Sequence, residues 1–131
     1  VDKFVGDELM AVFKGKSMVE KAVKCSVEIQ KKIAVMNKKN KKNIEVGIGI
    51  NAGPMVMGAM GSKDRMDYTV LGDNVNLGAR LCSAAKAGEI IISKRAVRFL
   101  PKSHSVDLRP LDPLKVKGKK DVIEVFSIIL D

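Results

Sequence analysis

The chain has 131 residues, 46% of them hydrophobic and 30% charged, with a formal net charge of +9 at pH 7. That length suits one domain with one core, and that balance excludes a disordered or fibrous chain. No apolar run approaches the ~18–20 residues of a membrane span, and no signal-peptide pattern is read. Cys25 and Cys82 show neither metal spacing nor a disulfide framework, which suits a reducing compartment; both are expected on helices as small hydrophobes. The positive excess attracts polyanions, either nucleic acid or a small phosphorylated ligand. Aromatics at 4%, with no Trp, leave little on which to stack bases.

Val1 to Val5 reads as a strand, Gly6-Asp7 as a tight turn and Glu8 to Phe13 as the return strand. Asp7 is thereby placed at a hairpin tip, where a carboxylate stays solvated. Ser17 and Glu20 have the spacing of a capping box. The helix behind them carries Val19, Ala22, Ser26, Ile29, Ile33 and Met36, read as one buried stripe, with Lys21, Lys24, Lys31 and Lys32 mostly off it. Lys38, Lys39, Lys41 and Lys42, set among asparagines, read as a solvated helix end and loop.

From Ile44 to Ala52 a strand alternates Ile44, Val46, Ile48 and Ile50 with Glu45, Gly47, Gly49 and Asn51. A strand face stripped to glycine implies something bulky against it, a helix or a ligand. Pro54 to Met60 is expected as a second strand, Gly61 to Arg65 as a polar loop and Asp67 to Leu71 as a short strand. A helix from about Asp73 is expected to end at Gly88 as its C′ residue. Ile90 to Ile92 reads as a buried strand, Ser93 as the cap of a small helix through Phe99, and Pro101 as its stop. Ser105 to Leu111 suits an edge strand, Lys115 to Lys120 a basic turn, and Asp121 to Leu130 a closing strand. His104 stands alone in a loop, with no partner to make it a ligand or base. The element order β-β-α-β-β-β-α-β-α-β-β indicates an α+β fold, with helices on one or both faces of a mainly antiparallel sheet.

Chemistry concentrates in Tyr68 to Arg80. Asn76 and Arg80 are four residues apart, so on a helix they share a face, which Ser83 extends. Such a face is either simply solvated or able to reach a sugar oxygen and a phosphate together. Gly47, Gly49 and Gly53 miss the G-x-G-x-x-G spacing, and no phosphate loop of the G-x-x-x-x-G-K-[ST] type occurs.

Asp2 to Ala11, then Val46 to Gly53 continuing to Gly58 and Gly61, then Asp67 to Leu81, and finally Val116-Lys117-Gly118-Lys119, resemble in order the catalytic domain of class III nucleotide cyclases, the adenylate and guanylate cyclase family. The resemblance implies a ferredoxin-like βαββαβ core with additions, working as a head-to-tail homodimer or with a cyclase-domain partner. It implies conversion of a nucleoside triphosphate to its 3′,5′-cyclic monophosphate and pyrophosphate in cyclic nucleotide signalling. Asp7 matches the second of two carboxylates that hold two Mg²⁺ (or Mn²⁺) ions. Lys3 and Thr69 match the pair that reads the purine; guanylate cyclases tend to carry Glu and Cys there, so ATP is the expected substrate. Asn76 matches the residue that orients the ribose, Arg80 the one that stabilises charge on the α-phosphate, and Lys117 a lysine on the outgoing phosphates.

The first metal carboxylate of that family, and the first strand of its core, are expected upstream of Val1, so residues 1–131 are expected to turn over little substrate alone. A regulatory domain is likewise expected upstream. The implied location is cytoplasmic, with a parent protein that is either free or membrane-anchored. Two other readings stand beside this one: a catalytically degenerate half that regulates an intact partner, and a guanylate cyclase. An RNA-binding module is disfavoured by the missing strand aromatics.

Overall fold

The computed structural model describes residues 3–5, 8–10, 13, 17–41, 43–53, 56–62, 65–71, 73–102, 104–115 and 122–130. In chain order the elements are β1 (Lys3–Val5), β2 (Glu8–Met10), α1 (Met18–Asn40), β3 (Ile48–Ile50), β4 (Val56–Ser62), β5 (Arg65–Leu71), α2 (Asp73–Ala84), β6 (Ile90–Ser93), α3 (Lys94–Val97), β7 (Leu108–Pro110), β8 (Leu114–Lys115), β9 (Val122–Ile123) and β10 (Val125–Ile128). A four-stranded sheet runs in the order β3-β6-β10-β7, with β3 parallel to β6 and the other neighbours antiparallel. The pairs β1-β2, β4-β5 and β8-β9 form separate antiparallel ribbons. This is the expected α+β architecture, antiparallel in all but one described pairing.

The centre of the molecule is β6. Ile90, Ile91, Ile92 and Ser93 are all buried, because both faces of the strand are covered. Ile90 and Ile92 pack with Val19, Ala22 and Val23 of α1 and with Ile50 and Ile128, whereas Ile91 packs with Leu81 of α2 and with Val125. Strand side chains alternate between faces, so α1 and α2 lie on opposite sides of the sheet.

Helix α1 departs from the expected pattern at both ends. Ser17 takes φ 63° and makes no side-chain cap bond, so the capping box does not form. A capping serine needs extended backbone to bring its hydroxyl over the first free N–H groups, and the left-handed conformation points it elsewhere. The buried stripe is Val19, Ala22, Val23, Ser26 and Gln30, while Ile29 and Met36 are 39% and 46% exposed. The 3-4-3-4-3 pattern averages about 3.4 residues per turn against about 3.6 for the helix, so it drifts off the sheet along its length. At the far end Asn37 closes the following loop. Its Nδ2 donates to the Ile44 carbonyl at 2.9 Å, and its Oδ1 accepts from the Ile44 N–H at 2.9 Å.

Other bounds shift for local reasons. The strand expected over Ile44 to Ala52 is ladder-paired only at Ile48–Ile50, whereas β4 and β5 extend into one hairpin that pairs Val56 with Leu71 and Ser62 with Arg65. Helix α2 stops at Ala84, ahead of the expected Gly88. The Ala85 N–H is shared between the Leu81 and Cys82 carbonyls, and the Glu89 N–H then bonds the Lys86 carbonyl at 2.9 Å. Gly88, at φ 78°, fills the third position of that turn, where only a residue free of a Cβ penalty sits easily. Ser93 does cap α3, accepting from the Ala96 N–H at 3.2 Å, and the edge strand expected within Ser105 to Leu111 is β7. His104 serves its own loop: its Nδ1 accepts from the Val106 N–H at 3.2 Å.

Candidate active site

The polar face of α2 is the part of the proposed site that the structure describes most fully. Asn76 and Arg80 are both exposed, and the inner side of the same helix is stripped for contact with the sheet. A Cβ built on Gly49 would lie 2.4 Å from the Cys82 nitrogen and 2.8 Å from the Gly78 carbonyl oxygen. One built on Gly47 would lie 2.9 Å from both the Cβ and the carbonyl oxygen of Ala85. The bare strand face is therefore filled by α2, backbone against backbone. Leu81 is wholly buried beneath the helix, and the Cys82 thiol donates to the Gly47 carbonyl at 3.4 Å. With Gly78, Leu81, Cys82 and Ala85 turned inward, helical geometry places Asn76 and Arg80 on the outward side, one turn apart. Among the described residues Arg80 forms no ion pair. A guanidinium held so, beside an amide, presents a fork that matches phosphoryl oxygens. Ser83 adds less than its spacing suggested, since its hydroxyl donates back to the Ala79 carbonyl at 3.1 Å.

Two polar residues that sequence reading passed over hold the scaffold of this face. Gln30 is buried, and its Nε2 donates to the Val46 carbonyl at 2.8 Å and to the Glu89 carbonyl at 3.4 Å, clamping the start of the β3–β6 pair. Asn51, at the end of β3, accepts through Oδ1 from the Ser93 hydroxyl at 2.7 Å. That links the strand under α2 to the cap of α3. On the outer surface Lys94 and Glu124 pair at 2.6 Å, and the hydrogen bond from Lys94 holds the Glu124 carboxyl below the usual carboxylate range.

The remaining predicted site residues are distributed over separate elements. Lys3 is in β1, paired with Met10, and Thr69 is in β5, paired with Gly58. Asp7 and Lys117 lie outside the described residues. Among the described residues no group of three His, Cys, Asp or Glu could hold a metal ion.

Residues 3–129 match the family described as the adenylate and guanylate cyclase catalytic domain. The chain belongs to that family. An adenylate cyclase of Anabaena cylindrica is 34% identical over 139 aligned positions, covering 98% of this chain and 28% of the relative. The chain thus spans little more than a quarter of that relative's length. Among solved structures, the adenylyl cyclase CyaB from P. aeruginosa superposes with a TM-score of 0.83 at 30% identity, covering 99% of this chain and 71% of that one. The guanylyl cyclase Cya2 does so equally, with a TM-score of 0.83 at 30% identity, over 97% of this chain and 68% of that one. A cyclase domain with the family's ferredoxin-like core is established. The equal likeness to an adenylyl and a guanylyl cyclase means that backbone shape does not choose the base. Among the described residues no helix is long and apolar enough to cross a membrane.

Proposed function

We propose that the chain is the catalytic domain of an adenylate cyclase, converting ATP to 3′,5′-cyclic AMP and pyrophosphate for cyclic nucleotide signalling on the cytoplasmic side. The observation that supports it best is the seating of α2, which holds Asn76 and Arg80 outward, adjacent and exposed on a helix fixed by Gly49. In the reaction the ribose 3′-oxygen attacks the α-phosphorus, its proton passes to solvent, and the bond from that phosphorus to the pyrophosphate oxygen breaks. Asn76 hydrogen-bonds the ribose and keeps the 3′-oxygen in line. Arg80 pairs with the α-phosphate oxygens as charge builds on them, and Lys117 receives the departing phosphates. Lys3 and Thr69 contribute a donor and a hydroxyl to the adenine edge. Two Mg²⁺ or Mn²⁺ ions, held through Asp7 and a second carboxylate, would supply charge neutralisation of the triphosphate and acidify the 3′-hydroxyl.

Asn76 and Arg80 face outward, so they form one wall of a site. A head-to-tail partner supplies the facing wall, with its own Asp7, and the second site of the dimer is built the same way. The test is a cyclase assay on the full-length protein, comparing ATP with GTP in Mg²⁺ and in Mn²⁺. ATP is expected to be the better substrate. Equal or faster turnover of GTP would remove the adenine assignment from Lys3 and Thr69 while leaving the cyclase reading standing. No turnover of either nucleotide would favour the regulatory half.

A further inference from the structure

The outer face of α1 combines charge and exposed apolar surface. Its buried stripe faces the sheet, and at about 100° per residue Val35 falls nearly opposite that stripe. Val35 is 64% exposed and Met36 is 46% exposed. Lys31 and Lys32 precede Val35 by four and three residues, and Lys38 and Lys39 follow it by three and four, which makes them its nearest neighbours on the helix surface. All four lysines are exposed. Lys31, Lys32, Val35 and Met36 line a shallow apolar hollow of about 330 Å³. From Ile29 to Ile44 the sequence contains no carboxylate. The acidic residues of α1, Glu20 and Glu28, lie in its first half, where Glu20 pairs with Lys24 at 3.4 Å.

An apolar centre inside a cationic ring suits a surface that is negative outside and greasy just beneath. The lysine stems can lie along the apolar patch while their ammonium groups reach anionic headgroups. The cations of α1 are all lysine, and the helix has no arginine or aromatic residue. The centres of protein interfaces are depleted in lysine and enriched in arginine and aromatics, and sites for single-stranded nucleic acid need aromatic stacking. We propose that the Lys31–Lys39 face of α1 docks on an anionic lipid bilayer, with Val35 and Met36 entering the headgroup boundary. This surface is independent of the cyclase site and of how that site is read.

Co-sedimentation of the purified protein with phosphatidylcholine vesicles, with and without phosphatidylserine, tests it. Binding is expected only to the anionic vesicles at about 0.1 M salt, and is lost near 1 M, where the screening length falls from about 10 Å to about 3 Å. Each lysine near an anionic surface is worth roughly fivefold in partition, so replacing Lys31, Lys32, Lys38 and Lys39 by Gln should weaken binding by about 10²–10³-fold. Val35→Ser with Met36→Ser should weaken it several-fold while keeping the salt dependence. All these positions are exposed, so matching thermal melts show that the variants fold. Equal binding to pure phosphatidylcholine, or full binding by the four-lysine variant, would overturn the proposal. So would failure to bind anionic vesicles, or equal competition by polyglutamate, which would mark an acidic protein partner instead.

Discussion

A methyl group at position 49 would sit 2.4 Å from the backbone nitrogen of Cys82, closer than side-chain atoms tolerate, and the nearest atoms are all helix backbone. No rotamer change can relieve it, so α2 must lift or tilt. Position 78 is one helical turn away from Cys82 on the same inner side, yet its added Cβ would meet only the Asn51 Cβ, at 3.9 Å, an ordinary contact. The two glycines therefore predict opposite signs. Gly78→Ala should stabilise by about 0.5–1 kcal/mol, because alanine loses less backbone freedom in a helix. Gly49→Ala should destabilise by about 1–3 kcal/mol through overpacking, and should depress turnover with it because Asn76 and Arg80 ride on the displaced helix. Urea unfolding of the two variants decides the matter, and a neutral Gly49→Ala would show that the helix is not seated as tightly as described.

At the scale of elements, the two serines that precede helices make a paired test. Ser93 accepts from the Ala96 N–H and donates to Asn51, whereas Ser17 makes no cap bond in its left-handed conformation. Ser93→Ala should cost about 1 kcal/mol or somewhat more, and Ser17→Ala close to nothing. A cost near 1 kcal/mol at Ser17 would restore the capping box. The same contrast shows what could be read from residues alone. The β6 isoleucines, the Ser93 cap and the glycine strand carry their signal within a few neighbours, and the structure keeps all three. Gln30 carries none, because its partners Val46 and Glu89 are 16 and 59 residues away in sequence. A polar side chain is buried there only because the fold brings two strand ends together under it. The end of α2 is a similar case. Its sequence stays helix-compatible through Lys86, but Gly88 donates to the Val46 carbonyl at 2.9 Å, and this pull toward β3 ends the helix early.

At the scale of the molecule, the candidate site as proposed is divided between what one chain holds and what a second copy would bring. Asn76 and Arg80 are set on one exposed face, Lys3 and Thr69 on separate ribbons, and the described residues contain no metal cluster. The sequence motifs named these roles through resemblance, but neither motifs nor backbone say which chain completes which site; that depends on symmetry. In a head-to-tail dimer each site takes Asp7 from one subunit and Arg80 from the other. Arg80→Ala alone should lower kcat by about 10³-fold or more with little change in KM, since its main contact forms as charge develops on the phosphate. Asp7→Asn alone should be similarly inactive. Mixed in equal amounts and allowed to exchange, half of the dimers are mixed, and in each of these one site carries both lesions and the other neither. Activity should therefore return to about a quarter of the wild-type level. If both groups served a site within one chain, every site in the mixture would carry a lesion and nothing would return. A mixture as inactive as its components, with exchange verified by a tag on one variant, would refute the shared site.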